Sequence, residues 1–238
     1  MKRCFDSIYR NALWLKLYNS NLNGKVLRII RSMYQSVKSC VKLCNNYSDF
    51  FDIAVGLRQG EIISPIMFAM FVEDLELYLQ ESYNSGLNFK DICIIVLLFA
   101  DDMVLIAWET PEDLQSSLNN LYDYCKRWGL EVNVSKTKIM VFRKRGNLKR
   151  QETWTYADEQ VDIVNDFNYL GVTFNYTGSF NLNTQNLHGK GLKAMNILIS
   201  NLKKYETKPR VALQLFDAFV TSVLTYGCEI GDSLNLIN

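Results

Sequence analysis

The sequence holds a single histidine, His188, and its six cysteines, Cys4, Cys40, Cys44, Cys93, Cys125 and Cys228, include no CxxC pair. Structural zinc sites draw on clustered Cys and His, so this inventory argues against one. Several of the cysteines have apolar neighbours, which suits reduced, buried thiols and an intracellular setting, cytoplasmic or nuclear. No apolar run reaches the roughly eighteen residues of a membrane helix, the N-terminus shows no signal-peptide hydrophobic region, and no membrane association is expected. Internal repeats and low-complexity tracts are absent. The formal net charge of +1 argues against indiscriminate attraction to polyanions.

What the chain does have is enough apolar material for a core. With 238 residues and 48% hydrophobic content, it can build one large domain or a larger and a smaller one. The near-zero net charge also conceals a separation of charge along the chain. Asp6 is the only acid between Lys2 and Lys42, Lys90 is the only base between Glu73 and Asp113, and no acid interrupts the bases from Lys136 to Arg150. The last run, with Gly146 and Asn147 inside it, reads either as a phosphate-contacting arm or as a solvated loop.

The acidic middle contains the most informative segment. Residues 92–107, ICIIVLLFADDMVLIA, place Asp101 and Asp102 side by side between two β-branched-rich runs. Such runs read as buried strands, which puts the doublet at a hairpin tip. Adjacent carboxylates repel and are costly to keep charged beside apolar surface unless a cation compensates them. Hard divalent ions with oxygen ligands are the natural compensation, and a surface Asp-Asp turn is the alternative.

Upstream lies residues 56–68, GLRQGEIISPIMF. Gly56 and Gly60 permit close backbone approach to a flat partner, while Arg58 and Gln59 offer donors for phosphate or base edges. A glycine-bounded turn with a solvated arginine is the alternative. Ser64 as N-cap and Pro65 as first helical residue predict a helix from there to about Tyr83. Downstream, Thr110-Pro111-Glu112-Asp113 opens a second helix, whose apolar stripe Leu114, Leu118, Leu121, Cys125 and Trp128 is core and which Gly129 ends. Residues 129–142, GLEVNVSKTKIMVF, follow with Lys136, and residues 167–174, FNYLGVTF, read as a strand. Gly171 there suits either close approach of a nucleic-acid backbone or plain packing.

These segments, in this order, resemble the motifs of reverse transcriptases of non-LTR (LINE-type) retrotransposons. Phe-Ala-Asp-Asp resembles the metal-binding signature, Arg-Gln-Gly…Ser-Pro the family's upstream loop and the helix after it, Asn-x-x-Lys-Thr the segment around Lys136, and Tyr-Leu-Gly the primer grip. The resemblance covers about residues 1–230, with residues 224–230 similar to the last thumb helix. It implies an α+β fold: a ferredoxin-like polymerase palm, an antiparallel sheet with helices on one side, over residues 1–174, followed by a small helical thumb over 175–238. It implies catalytic roles for Asp101, Asp102 and Lys136, the last beside the pyrophosphate leaving group. It implies metal binding by Asp101 and Asp102, with two Mg²⁺ ions expected and Mn²⁺ as a substitute. Phe5 corresponds to the aromatic that screens the sugar 2′ position, and Phe5, Arg58, Gln59 and Gly60 are the expected substrate-binding positions. The implied partners are an RNA template, a DNA primer and dNTPs, with oligomeric state open.

Residues 1–8 depart from the family pattern. Aligning Phe5 with the screening aromatic puts Arg3 at a lysine position and the third catalytic carboxylate one residue before Met1. Asp6 follows an aromatic in an expected strand, but period-two alternation turns it away from Phe5. Weak or absent polymerase activity is therefore expected, and the alternative function is a non-catalytic retrotransposon remnant that at most binds RNA or DNA. A nucleotide-cyclising enzyme on a similar core is a distant third, because the Arg-Gln-Gly loop has no role in it.

Elsewhere the pattern predicts helices over residues 11–19 and 25–37, the latter with Leu27, Ile30, Tyr34 and Val37 on one face. A hairpin is expected from residues 39–44 and 50–55, and strands over 131–134 and 139–142. After Phe174 a polar stretch, residues 175–186, precedes helices near 192–205 and 210–225, with a break at Lys208-Pro209.

Overall fold

The computed structural model describes residues 1, 4–22, 24–82, 86–90, 92–108, 110–143, 146, 152–205 and 207–232. Its backbone divides into two compact units. The first comprises residues 1–137 with 150–161, the second residues 138–149 with 162–238.

The first unit is built on helices whose apolar faces meet. Helix α1 (Arg10–Asn19) buries Leu13, Leu17 and Lys16, and α2 (Gly24–Met33) buries Ile30, after which Tyr34 and Val37 extend the same face inward. Helix α3 (Ser64–Val72) is apolar nearly throughout and buries Met67, Phe68, Phe71 and Val72. Helix α4 (Leu75–Ser82) follows after two residues. The helix expected from Ser64 to about Tyr83 is thus interrupted at Glu73-Asp74, although Glu73 keeps αR geometry and the Tyr78 N–H still bonds the Asp74 carbonyl. Tyr83 lies outside the described residues. Ser64 is not the side-chain cap: Ile63 holds that position, and Ser64 Oγ, buried, donates to the Arg58 carbonyl at 2.7 Å.

Helix α5 (Pro111–Trp128) follows its sequence signals closely. Thr110 and Asp113 complete a reciprocal capping box, and Gly129 ends the helix in the left-handed region at φ +69°. Leu118, Leu121, Tyr124 and Cys125 are buried. Residues 154–161 close over this helix. Trp154 donates to the Pro111 carbonyl, Gln115 bonds both the N–H and the carbonyl of Thr155, and the Tyr122 and Tyr156 rings meet edge to face.

The β structure differs from a single sheet. Among the described residues the strands form two-stranded ladders, antiparallel except for the parallel pair Lys138–Ile139 with Asp162–Ile163. The hairpin expected over residues 39–55 forms as two short ladders, Lys38–Ser39 with Phe51–Asp52 and Lys42–Leu43 with Asn46–Tyr47. Residues 131–133 carry no strand, and the second of the two expected strands contracts to Lys138–Ile139; Asn133 instead closes a turn onto the N–H groups of Lys136 and Thr137. Helices with small antiparallel ladders make an α+β fold.

In the second unit, residues 166–175 form a hairpin, Asp166–Tyr169 with Val172–Asn175. Tyr169 ends its first strand and Leu170-Gly171 is the turn, both at positive φ, as a tight two-residue hairpin requires. The single strand expected over 167–174 is therefore two strands. Helix α6 (Asn181–Lys204) starts eleven residues earlier than expected, inside the polar stretch, and α7 (Pro209–Phe216) continues through a π turn, Asp217–Thr221, to Ser222–Leu224. The helix break at Lys208-Pro209 is where the proline placed it, with Pro209 in the first turn. Tyr226 donates to the Leu170 carbonyl at 2.6 Å, tying the end of these helices to the hairpin turn.

Candidate active site

The two acids sit where the pattern put them, at a hairpin tip. Strand β1 (Val96–Phe99) pairs with β2 (Asp102–Leu105), Phe99 opposite Asp102, so Ala100 and Asp101 make the whole turn. Ala100 takes φ +51°, the cost of so tight a link in a residue other than glycine. The strands are less enclosed than an apolar run implies. Val96 is buried, but Leu97, Leu98 and Phe99 are exposed, because this ladder has no third strand among the described residues. Asp101 is half-buried and Asp102 exposed.

Residues 1–10 connect this tip to the Arg-Gln-Gly loop. The Met1 nitrogen donates to the Asp101 carbonyl at 2.8 Å. Cys4 is buried, and its thiol is pushed up first by that burial and then by the nearby Asp101 charge. One residue on, the Phe5 ring lies 5.0 Å from the Phe68 ring, and the Phe5 carbonyl accepts the Leu57 N–H. The Ile8 carbonyl accepts the Gly56 N–H. Gln59 Nε2 donates to Asp6 Oδ1 at 2.7 Å. Residues 4–7 form a helical turn rather than the expected strand, and Asp6 faces the loop's glutamine. Lys2 and Arg3 lie outside the described residues.

Gly56 explains how the loop comes so close. Its φ is +82°, and a Cβ there would stand 2.6 Å from the Asp6 carbonyl oxygen. Arg10 fixes the approach from the other side. Its guanidinium donates to the carbonyls of Gly56, Ile53, Tyr34 and Val55 at 2.8 to 3.4 Å. Gly60, at φ +90°, faces open space.

The donors expected to reach a substrate are engaged within the protein. Arg58 pairs with Glu61 at 2.6 Å, donates to the Met33 carbonyl and lies over the Tyr34 ring. Lys136 is exposed in the turn closed by Asn133, with no ion pair among the described residues. The described residues thus link Phe5, Asp6 and Ile8 to the loop at Leu57, Gln59 and Gly56, and Met1 to Asp101, and record no contact between Lys136 and either group.

Asp101 and Asp102 suit a divalent cation in kind, since both are hard oxygen donors with open coordination at an exposed tip. In number they fall short of a clamp on two ions. No cluster of three or more His, Cys, Asp or Glu residues occurs among the described residues.

One centre has no counterpart in the sequence reading. Lys16, almost wholly enclosed, places Nζ 2.5 Å from Asp74 Oδ1 and 2.6 Å from the Tyr124 hydroxyl, which also donates to Asp74. Phe71, Tyr124 and Trp128 surround the ammonium, with Trp128 nearest at 4.0 Å from ring centroid to Nζ. The signal available in sequence is its position three residues after Leu13, on the apolar face of α1.

Comparison with known proteins agrees with the motif order. The sequence profile described as "Reverse transcriptase (RNA-dependent DNA polymerase)" matches residues 1–174. The chain is 27% identical over 75% of its length to the "Retrovirus-related Pol polyprotein from type-1 retrotransposable element R2" of Nasonia vitripennis. It is 26% identical over 73% of its length to the "Probable RNA-directed DNA polymerase from transposon BS" of Drosophila melanogaster. It is 19% identical over 97% of its length to the "RNA-directed DNA polymerase from mobile element jockey" of Drosophila funebris. The chain spans 18%, 19% and 25% of the lengths of these three relatives. With the profile matched across most of the sequence and its relatives drawn from non-LTR retrotransposons, the chain belongs to the reverse transcriptase family.

Proposed function

We propose that this chain acts as an RNA-directed DNA polymerase, adding dNTPs to a DNA primer on an RNA template through a ferredoxin-like palm over residues 1–174 and a thumb over 175–238. The observation that carries this reading is that Met1 bonds the Asp101 carbonyl while Phe5, Asp6 and Ile8 bond the Gly56–Gln59 segment.

In this reading Asp101 and Asp102 hold Mg²⁺, for which Mn²⁺ substitutes. When bound there, the ion would supply positive charge to the phosphate oxygens. Phe5, wedged against Phe68 beside the loop, presents a flat apolar wall to the sugar. Gly60 brings open backbone to the base pair, while Arg58 and Gln59 hold the loop's shape through Glu61 and Asp6 and exchange those bonds for substrate. Lys136, exposed on its turn, neutralises the departing pyrophosphate.

A second reading, a non-catalytic member that binds RNA or DNA, is favoured by the two-carboxylate count at the tip. Primer extension by the purified chain on an RNA template, with Mg²⁺ or Mn²⁺, separates the two. Extension abolished by Asp101→Ala with Asp102→Ala supports the polymerase. Salt-sensitive binding of an RNA/DNA hybrid without extension supports the second reading.

A further inference from the structure

Away from the acidic tip, the first unit contains a groove of about 660 Å³ between α1, the end of α2 and the hairpin of residues 38–52. That volume is ample for a nucleotide unit. Its floor is aromatic. Tyr34 is buried there, and Trp14 meets its ring edge to face at 5.8 Å. Arg10 lies 5.1 Å from the same ring, so the floor carries a fixed positive charge whose donors are already spent on backbone carbonyls.

The rim supplies donors that are not spent. Arg31 and Lys38 both line the groove, are exposed and make no ion pair among the described residues. Asp52, opposite Lys38 in the ladder, is the one acid of the lining. Asn11 and Gln35 add neutral hydrogen-bonding groups. Further basic residues lie on α2, and further basic and aromatic ones on the hairpin of residues 38–52. Lys25, Arg28 and Arg31 recur every three residues on α2, all exposed, with no acid on that helix. Along the hairpin, Lys42 lies over the Tyr47 ring, and Tyr47, Phe50 and Phe51 are exposed.

Cations spaced along a track with aromatic faces between them match single-stranded nucleic acid, whose phosphates repeat and whose bases stack without regard to sequence. We infer that this groove and the α2 stripe bind single-stranded RNA or DNA, with phosphates on Arg31 and Lys38 and a base against Trp14. The inference takes nucleic acid as the partner from the polymerase reading, but it does not use Asp101 or Asp102.

The test is fluorescence anisotropy of labelled single-stranded RNA and DNA 12-mers, in about 50 and 200 mM salt, against the intact chain and its variants. Arg31→Glu with Lys38→Glu, both at exposed positions, lowers affinity by about tenfold or more and flattens the log–log salt slope by about 1.4. Trp14→Ala weakens binding without changing that slope, and Trp14→Phe restores most of it. Lys203→Glu, a charge change in the second unit, leaves binding intact. Circular dichroism of the double variant confirms that it folds.

Unchanged affinity in the folded double variant, an equal loss in Lys203→Glu, or the absence of any binding by the parent chain overturns the inference. So does competition by a free nucleotide as strong as that by the 12-mer, because the groove would then be a mononucleotide pocket. Binding that depends on Arg31 and Lys38 without any primer extension would sink the polymerase and leave this site standing. Extension with binding indifferent to both residues would do the reverse.

Discussion

Lys16 and Asp74 form an ion pair in which the cation is almost wholly enclosed, at 4% exposure, while the carboxylate is half in solvent, at 49%. Burial, the largest influence, pulls the Lys16 ammonium from its ordinary 10.5 down to about 8, against the opposing pull of the Asp74 hydrogen bond and charge; Arg127 adds a small downward push. Above that value the folded chain has released a proton that the unfolded chain still holds, so stability rises with pH from about 8 towards 10.5. The contribution is complete above the unfolded value and lost as pH falls through about 8. Tyr124 acts oppositely. Burial and Asp74 push its hydroxyl far above its ordinary 10.0, so its share is full below that value and lost above it.

Comparing the parent chain with Lys16→Met isolates the lysine. As pH increases from about 7.5 to 10, the parent gains on the variant by on the order of 2 kcal/mol in urea unfolding. Parallel pH profiles would show that Lys16 titrates as an ordinary lysine. Asp74→Ala strands the enclosed ammonium and costs about 2–3 kcal/mol at neutral pH, less than a fully buried pair because Asp74 is half exposed.

Gly56 and Gly60 make a matched test of the loop. Both need left-handed backbone, but a Cβ at Gly56 meets the Asp6 carbonyl oxygen and one at Gly60 meets nothing. Gly60→Ala costs about 1 kcal/mol in thermal or chemical unfolding, from backbone strain alone. Gly56→Ala costs roughly twice that or more, because backbone must separate from backbone. Equal losses would mean that the approach of residues 6 and 56 is not tight.

Gly171 pairs with Tyr226 in the same manner. Its φ is +86°, and a Cβ would reach 3.0 Å from the tyrosine ring. Gly171→Ala destabilises by about 1–2 kcal/mol, and part of that loss disappears in a Tyr226→Ala background, where only the backbone strain remains. Strict additivity of the two substitutions in a double-mutant cycle would exclude the contact.

At the acidic tip, Asp101→Asn and Asp102→Asn are each expected to reduce metal-supported primer extension by about 100-fold or more without altering the unfolding midpoint. Lys136→Ala reduces the rate by about tenfold and leaves metal dependence unchanged. A rate insensitive to either aspartate would place the chemistry elsewhere.

The elements that sequence predicted best are those closed by local chemistry. Thr110, Pro111, Asp113 and Gly129 set both ends of α5 within their own few residues, and the Asp101 hairpin follows from two β-branched runs and a two-residue turn. Prediction failed where distant partners decide. Residues 131–134 alternate like a strand but find no ladder partner among the described residues, and the Asn133 side chain and carbonyl accept from the local N–H and hydroxyl groups instead. Phe5 and Asp6 look extended in isolation, yet residues 4–7 coil so that one turn can meet both Phe68 and Gln59. The engagement of Arg58 was equally hidden, since Glu61 lies only three residues away but Met33 and Tyr34 belong to another helix turn. Lys16 left least trace, because its partners come from α3, α5 and the link before α4.

The Arg10 fork has a bearing on which substitutions the chain tolerates. Residues 53–56 form no strand, their backbone N–H bonds being those of Ile53 to Val37 and Gly56 to Ile8, and three of their four carbonyls are held by one guanidinium. A carbonyl is common to every amino acid, so the side chains at Ala54 and Val55 can drift with little penalty while position 10 cannot. Even lysine there loses the planar, multi-pronged geometry. Apart from Gly56, mutational intolerance that would otherwise spread over a loop is thereby concentrated in one residue some forty positions away.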